Sequence, residues 1–188
     1  MQKITSFFSN AGRAEQALKM FGAVVVGSLL LAVSARVQVP FWPVPMTMQT
    51  MVVVVIAMTL GSRLGTLVIS AYVLEGLLGL PVFANSPERG VGLAYILGPT
   101  GGYLVGFIVA GFVCGWLAER GFRSSMAMAA AANVIGTVII LALGFGWLAT
   151  LIGVEKAFAV GVMPFLLGSV VKVGLGAVIV RMLAPSKA

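Results

Sequence analysis

The chain of 188 residues contains no aspartate and no histidine, and glutamate occurs at only five positions: Glu15, Glu75, Glu88, Glu119 and Glu155. Those absences remove most of the chemistry a catalytic or metal site would use. No cluster of metal ligands can be assembled, and no metal or cofactor is expected. Without a Walker motif or an aspartate for magnesium, the chain cannot hydrolyse ATP on its own. Cysteine is scarce as well. Cys114 is the only one and lies in an apolar segment, which excludes a disulfide framework. Charge of either sign is sparse at 9% of residues, while 60% are hydrophobic and the mean hydropathy is +1.11. A soluble domain of this size could not hide so much apolar surface, so the composition specifies an all-α integral membrane protein.

Six apolar segments follow one another at 18–39, 47–60, 64–80, 101–118, 126–151 and 160–183. Together they form a single transmembrane domain spanning 1–188. The first is too long for a removable signal peptide and lacks a matching cleavage site. The second is short for a span of about 20 residues, so it is expected to be tilted, kinked or partly re-entrant. An even number of spans places both termini on one side. With the termini in the cytoplasm, Lys3, Arg13, Lys19, Arg63, Arg120, Arg123, Arg181 and Lys187 lie inside, and only Arg36, Arg89 and Lys156 lie outside. That distribution obeys the positive-inside rule and explains the net charge of +7 without a nucleic-acid partner.

This orientation gives the polar residues a depth. Arg36 and Gln38 end the first span on the outside, followed by a proline-rich loop, Pro40 to Pro45, whose prolines leave the backbone few bonding options and make a stiff extended cap. Thr47 and Gln49 open the second span. Glu75 lies in the outer half of the third, and the loop from Pro81 to Pro99 carries Asn85, Glu88, Arg89 and Tyr95. The groups able to hold a ligand therefore converge on a pocket that opens away from the cytoplasm. Lys172 stands within the sixth segment. A lone ammonium at that depth costs about 2.5–3.5 kcal/mol on insertion scales, so it faces the bundle interior and needs a partner. Phe165, Ser169, Lys172 and Gly176 recur on one helical stripe. The partner of Lys172 is either a ligand or Glu75, the latter fixing helix packing, and Ser169 is either a ligand contact or a back-bonded helix serine.

Small residues at a spacing of four (Ala23/Gly27, Ser28/Ala32, Gly106/Ala110, Gly111/Gly115) let helices approach closely. The row on the first span serves either internal packing or contact with another membrane subunit. Ser169-Val-Val-Lys172 also matches the S-x-x-K pattern of acyl hydrolases, although the accompanying S-D-N and K-T-G elements are missing. An intramembrane serine-lysine hydrolase is thus a remote alternative.

The strings PFWPVPMTMQT (40–50), YVLEGLLGLPVFA (72–84), GLAYILGPTGGYLVGF (92–107) and PFLLGSVVK (164–172) resemble the BioY family. These are biotin transporters, the substrate-binding S components of energy-coupling factor (ECF) transporters. The resemblance implies a six-helix bundle that binds biotin from outside and performs no catalysis. It also implies a location in the bacterial cytoplasmic membrane beside a transmembrane coupling protein and two ATPase subunits, and homo-oligomers are proposed for some members. It makes Lys172, Ser169, Asn85, Arg89, Tyr95, Gln49, Thr47, Glu75 and Phe165 the candidate ligand residues, with Trp42, Phe83 and Tyr103 as further apolar walls. Ala23, Gly27, Ser28 and Ala32 become candidate contacts for the coupling protein. The sixth-helix motif of the family resembles G-D-x-x-K; Gly168 and Lys172 match it, and Ser169 stands where the acid would be. That exchange implies either weaker ureido recognition or a lysine freer to attract a carboxylate, and leaves a different small vitamin as the alternative substrate.

Overall fold

The computed structural model describes residues 12–39 and 42–184. Lys3, Lys187 and Pro40, to which the topology above assigns sides, lie outside the described residues. The chain runs α1 (Arg13–Arg36), a two-strand hairpin of β1 (Gln38–Val39) and β2 (Met46–Thr47), α2 (Gln49–Leu77), the short α3 (Gly92–Ile96), α4 (Gly101–Leu117) with a π-helical turn (Ala118–Phe122), α5 (Met126–Ile152), the short α6 (Val154–Gly161) and α7 (Met163–Leu183). Among the described residues, five helical stretches are long and apolar enough to cross a membrane. The protein is a multi-pass membrane protein.

One of these stretches, α2, is two arms. Gly61 has φ +86° and ψ 176°, a conformation essentially reserved for glycine. A Cβ on Gly65 would lie 2.8 Å from the Cα of Ala57, whereas eight residues of straight helix separate two positions by about 12 Å. The chain therefore reverses at Gly61, and the arms 49–60 and 62–77 pack side by side. Six helical segments result, in the order of the six apolar stretches.

The first arm explains where a pocket can form. Its twelve residues reach only about 18 Å, against a hydrocarbon core of about 30 Å. It runs from the reversal at Gly61 and stops short, so the space beyond it must be filled by something other than helix. The hairpin fills it. β1 and β2 pair antiparallel in the register Gln38↔Thr47 and Val39↔Met46, and Met48 N–H donates to Val37 O at 3.0 Å. The pairing of β1 with β2 joins the two flanks of the proline-rich stretch into a strap.

The end of the bundle around Gly61 is packed shut. Glu119 Oε1 accepts from Ser62 N–H at 2.7 Å and from Ser62 Oγ–H at 2.9 Å, capping the exposed start of the second arm. Arg123 donates to the carbonyls of Met58 and Thr59 at 3.2 and 3.3 Å, capping the end of the first. An acid at a helix start and a base at a helix end both oppose the local dipole. At Gly115 a Cβ would lie 2.6 Å from the backbone of Ser62, so α4 touches the reversal itself. On α1, Gly27 and Ser28 are buried within the bundle; Gly27 abuts Val68, and Ser28 Oγ–H donates to Val25 O. Gly27 and Ser28 thus serve internal packing, while Ala23 and Ala32 are half-buried. The outward face of this helix is Phe21, Val25, Val26, Leu29, Leu30 and Val33.

Candidate functional site

The start of the short arm, the strap, the 81–100 loop, α4 and α7 enclose a narrow cavity at the end of the bundle away from the Gly61 reversal, with about 40 Å³ of free space. Its walls are Val44 and Pro45 of the strap, Thr47, Gln49 and Thr50, Phe83, Ala84, Tyr95 and Thr100 of the outer loop, Tyr103, Leu104 and Phe107 of α4, and Phe165 of α7.

The aromatic walls occur in two stacked pairs. Phe83 and Tyr95 lie with ring centroids 4.8 Å apart and planes at 27°, and Tyr103 and Phe165 lie 6.0 Å apart at 25°. Each tyrosine is held by its hydroxyl. Tyr95 donates to Ala84 O and Tyr103 to Gly161 O, both at 2.8 Å, which satisfies the phenols and leaves ring faces for the cavity. Burial pushes the Tyr95 hydroxyl above its ordinary pKa, with Thr100 and Arg89 opposing, so it remains a donor. Polar groups line the opposite side. Gln49 Nε2–H donates to Tyr72 Oη at 2.6 Å, Tyr72 Oη–H donates to Val82 O at 3.1 Å, and Thr47 Oγ1–H donates to Gln49 Oε1 at 3.3 Å. This chain of bonds fixes the amide of Gln49 at the cavity wall.

Lys172 is buried, with 6% of its surface exposed. Gly168 and Gly176, one turn either side, let α7 approach Met46 of the strap and Met51 of the short arm. That approach brings Lys172 Nζ to Thr47 O at 2.9 Å and Thr50 Oγ1 at 3.2 Å, two oxygens that belong to residues of the cavity wall. Glu75 is not its partner. Among the described residues the one ion pair is Lys19–Glu15, and Glu75 borders neither this cavity nor the one beneath the strap.

The sequence-derived candidates thus separate. Thr47, Gln49, Tyr95 and Phe165 come together around the cavity, as do Phe83 and Tyr103, with Lys172 directly behind Thr47 and Thr50. Ser169 does not join them. Its Oγ–H donates to Phe165 O at 2.7 Å, and its side chain borders an outer groove with Val134, Thr137 and Leu141 of α5. At 40° around the helix from Phe165, a position can fall just off the buried stripe, and here it does. Trp42 is 79% exposed and also stands outside the cavity.

Asn85 and Arg89 act on the enclosure. Arg89 Nη1–H donates to Pro43 O at 2.7 Å, tying the outer loop to the strap. Gln38 Nε2–H donates to Asn85 Oδ1. Arg36 Nη1 and Nη2 donate to Ser86 O and Pro81 O at 3.1 and 2.7 Å. Sequence reasoning overlooked Thr50, Phe107 and Tyr72. A signal existed for two of them: Thr50 stands three residues after Thr47, and Phe107 four after Tyr103, one helical turn along the same face. Tyr72 could only be found through the fold.

Comparison with known proteins decides the relationship. A sequence profile of the BioY family matches residues 8–188. The chain belongs to the BioY family. It is 43% identical over 151 residues to the "Biotin transporter BioY" of Thermotoga maritima, covering 80% of this chain and 86% of that protein. It is 38% identical over 154 residues to the "Probable biotin transporter BioY" of Pyrococcus horikoshii, covering 82% and 89%. Its fold is similar to the crystal structure of the S-component for biotin from an ECF-type ABC transporter, with a TM-score of 0.78 at 25% identity over 92% of this chain and 94% of that one.

Proposed function

We propose that this BioY-family protein is a biotin-binding S component, which captures the vitamin from outside the cell and carries it into an ECF-type uptake complex. The observation that supports this reading is the aromatic cavity with an amide and hydroxyls on one wall and an ammonium behind them. Biotin is a fused bicycle with two ureido N–H donors, one strong acceptor and a carboxylate on an alkyl arm. The stacked pairs Phe83–Tyr95 and Tyr103–Phe165 provide faces for the bicycle, and Thr47, Gln49, Thr50 and Thr100 provide the ureido partners. Lys172 supplies the charge that a carboxylate matches. Arg89, Asn85 and Arg36 hold the strap and the outer loop closed over the site.

The chain has no catalytic role in this reading. Ser169 and Lys172 form no dyad, since Ser169 bonds to Phe165 O and Lys172 to Thr47 and Thr50. The orientation of Ser169 also removes the reason to expect a different vitamin from its replacement of an acid. Energy must come from other subunits, a transmembrane coupling protein and two ATPases, because the chain has no nucleotide site. The outward apolar face of α1, Phe21 to Val33, is where a coupling helix would dock. Both termini are cytoplasmic in the bacterial inner membrane, with the aromatic cavity toward the outside. Calorimetric titration of the purified protein with biotin tests the proposal. Saturable heat at micromolar biotin is expected, with lipoate and thiamine failing to compete, and no heat would overturn it.

A further inference from the structure

Lys172 borders a second cavity rather than the aromatic one. This lateral cavity lies between the β-hairpin and α7, with about 280 Å³ of space. Val37, Val39, Met46, Met48 and Val171 make its walls apolar, and Lys172 supplies its charge. Val39 and Val171 are 48% and 69% exposed, so the mouth faces the apolar exterior of the bundle, where lipid lies. Lys172 stands nine residues into α7, about 14 Å below its outer end at 1.5 Å per residue. The ammonium carries three donors, two of which go to the neutral oxygens of Thr47 and Thr50, and no carboxylate of the described residues pairs with it. An anion that neutralises it can reach it through this cavity.

We propose that the lateral cavity binds an alkyl carboxylate, with the apolar arm against Val39, Met48 and Val171 and the carboxylate on Lys172 Nζ. Gln38 sets the orientation. Its Nε2 is committed to Asn85 and its buried Oε1 has no partner, and an acceptor repels a carboxylate, so the head group takes the Lys172 end. Two sources offer this chemistry. One is the carboxylate arm of a ligand whose rings occupy the aromatic cavity, since Thr47 borders both spaces; this source rests on the biotin reading. The other is a fatty acid drawn from the bilayer, which does not.

The test uses the full chain in phosphatidylcholine nanodiscs, titrated with 11-(dansylamino)undecanoate and with its methyl ester, empty discs being subtracted. Saturable fluorescence is expected for the acid, with binding at least tenfold weaker for the ester. Lys172→Met and Val171→Trp should each weaken the acid at least tenfold; Val171 points outward, so the tryptophan blocks the mouth without entering the core. Equal binding of acid and ester, or binding of the acid unchanged in both variants, overturns the proposal. Excess biotin then separates the sources. Displacement of the probe, together with tenfold weaker biotin binding by Val171→Trp, assigns the cavity to the arm of the ligand. No displacement, with biotin affinity unchanged in that variant, assigns it to a bilayer fatty acid. If the probe binds and biotin does not, the biotin reading fails while the lateral site stands.

Discussion

The two ends of the bundle are built from the same helices by opposite means. At the Gly61 end, backbones touch at Gly115 and Ser62, and charged side chains cap helix ends through Glu119 and Arg123. The strap end has a helix arm that stops short, a strap in place of the missing turns, and arginines that hold loop carbonyls. Close backbone contact cannot open without losing the fold. A strap held by a few side-chain bonds can open for about 0.5–1.5 kcal/mol per bond. One half is therefore a fixed base, and the other is the part able to admit a ligand.

Substitutions should separate the two halves by the size and kind of their effects. Gly115→Val is the most damaging, because its side chain would meet the backbone of Ser62; a loss near 3 kcal/mol is expected, the upper end for overpacking, read as a collapse of thermal stability in detergent. Lys172→Met should weaken biotin by ~1.5–3 kcal/mol in calorimetry, the range for a hydrogen bond to a charged group. The same variant should be no less stable than the parent, since it removes a buried cation that costs about 2.5–3.5 kcal/mol to insert. A fall in stability with biotin affinity intact would reassign Lys172 to packing. Arg89→Ala removes the bond to Pro43 O and should raise the biotin off-rate about three- to tenfold, a change of about 0.5–1.5 kcal/mol, with thermal stability almost unmoved. Ser169→Ala should change biotin affinity and stability by less than ~0.5 kcal/mol, because the hydroxyl only returns to its own helix.

Much of the candidate site was legible because the chain is so poor in polar groups. With no aspartate or histidine and few glutamates, Lys172, Gln49, Thr47 and Tyr95 stood out against the apolar background. The pairing of Lys172 was not legible. Glu75 has the right charge, yet the partners Lys172 takes are a backbone carbonyl and a hydroxyl. Backbone oxygens leave no mark in a sequence. For the same reason Asn85 and Arg89 read as ligand contacts, when one meets Gln38 and the other the carbonyl of Pro43. On α1, spacing identified Ala23, Gly27, Ser28 and Ala32 as a contact row without revealing which neighbour they meet; Gly27 meets Val68.

By itself the sequence determined the membrane class, the six segments and the shortness of the second. Each follows from the cost of exposing polar groups to hydrocarbon or apolar surface to water, summed over many residues. Tertiary structure alone decided what the short segment is for. The reversal at Gly61, the strap above the arm and the two cavities on either side of Thr47 depend on which surfaces meet. A rotation of a few tens of degrees about a helix axis, which scarcely alters total burial, puts Ser169 outside the cavity and Lys172 at its edge.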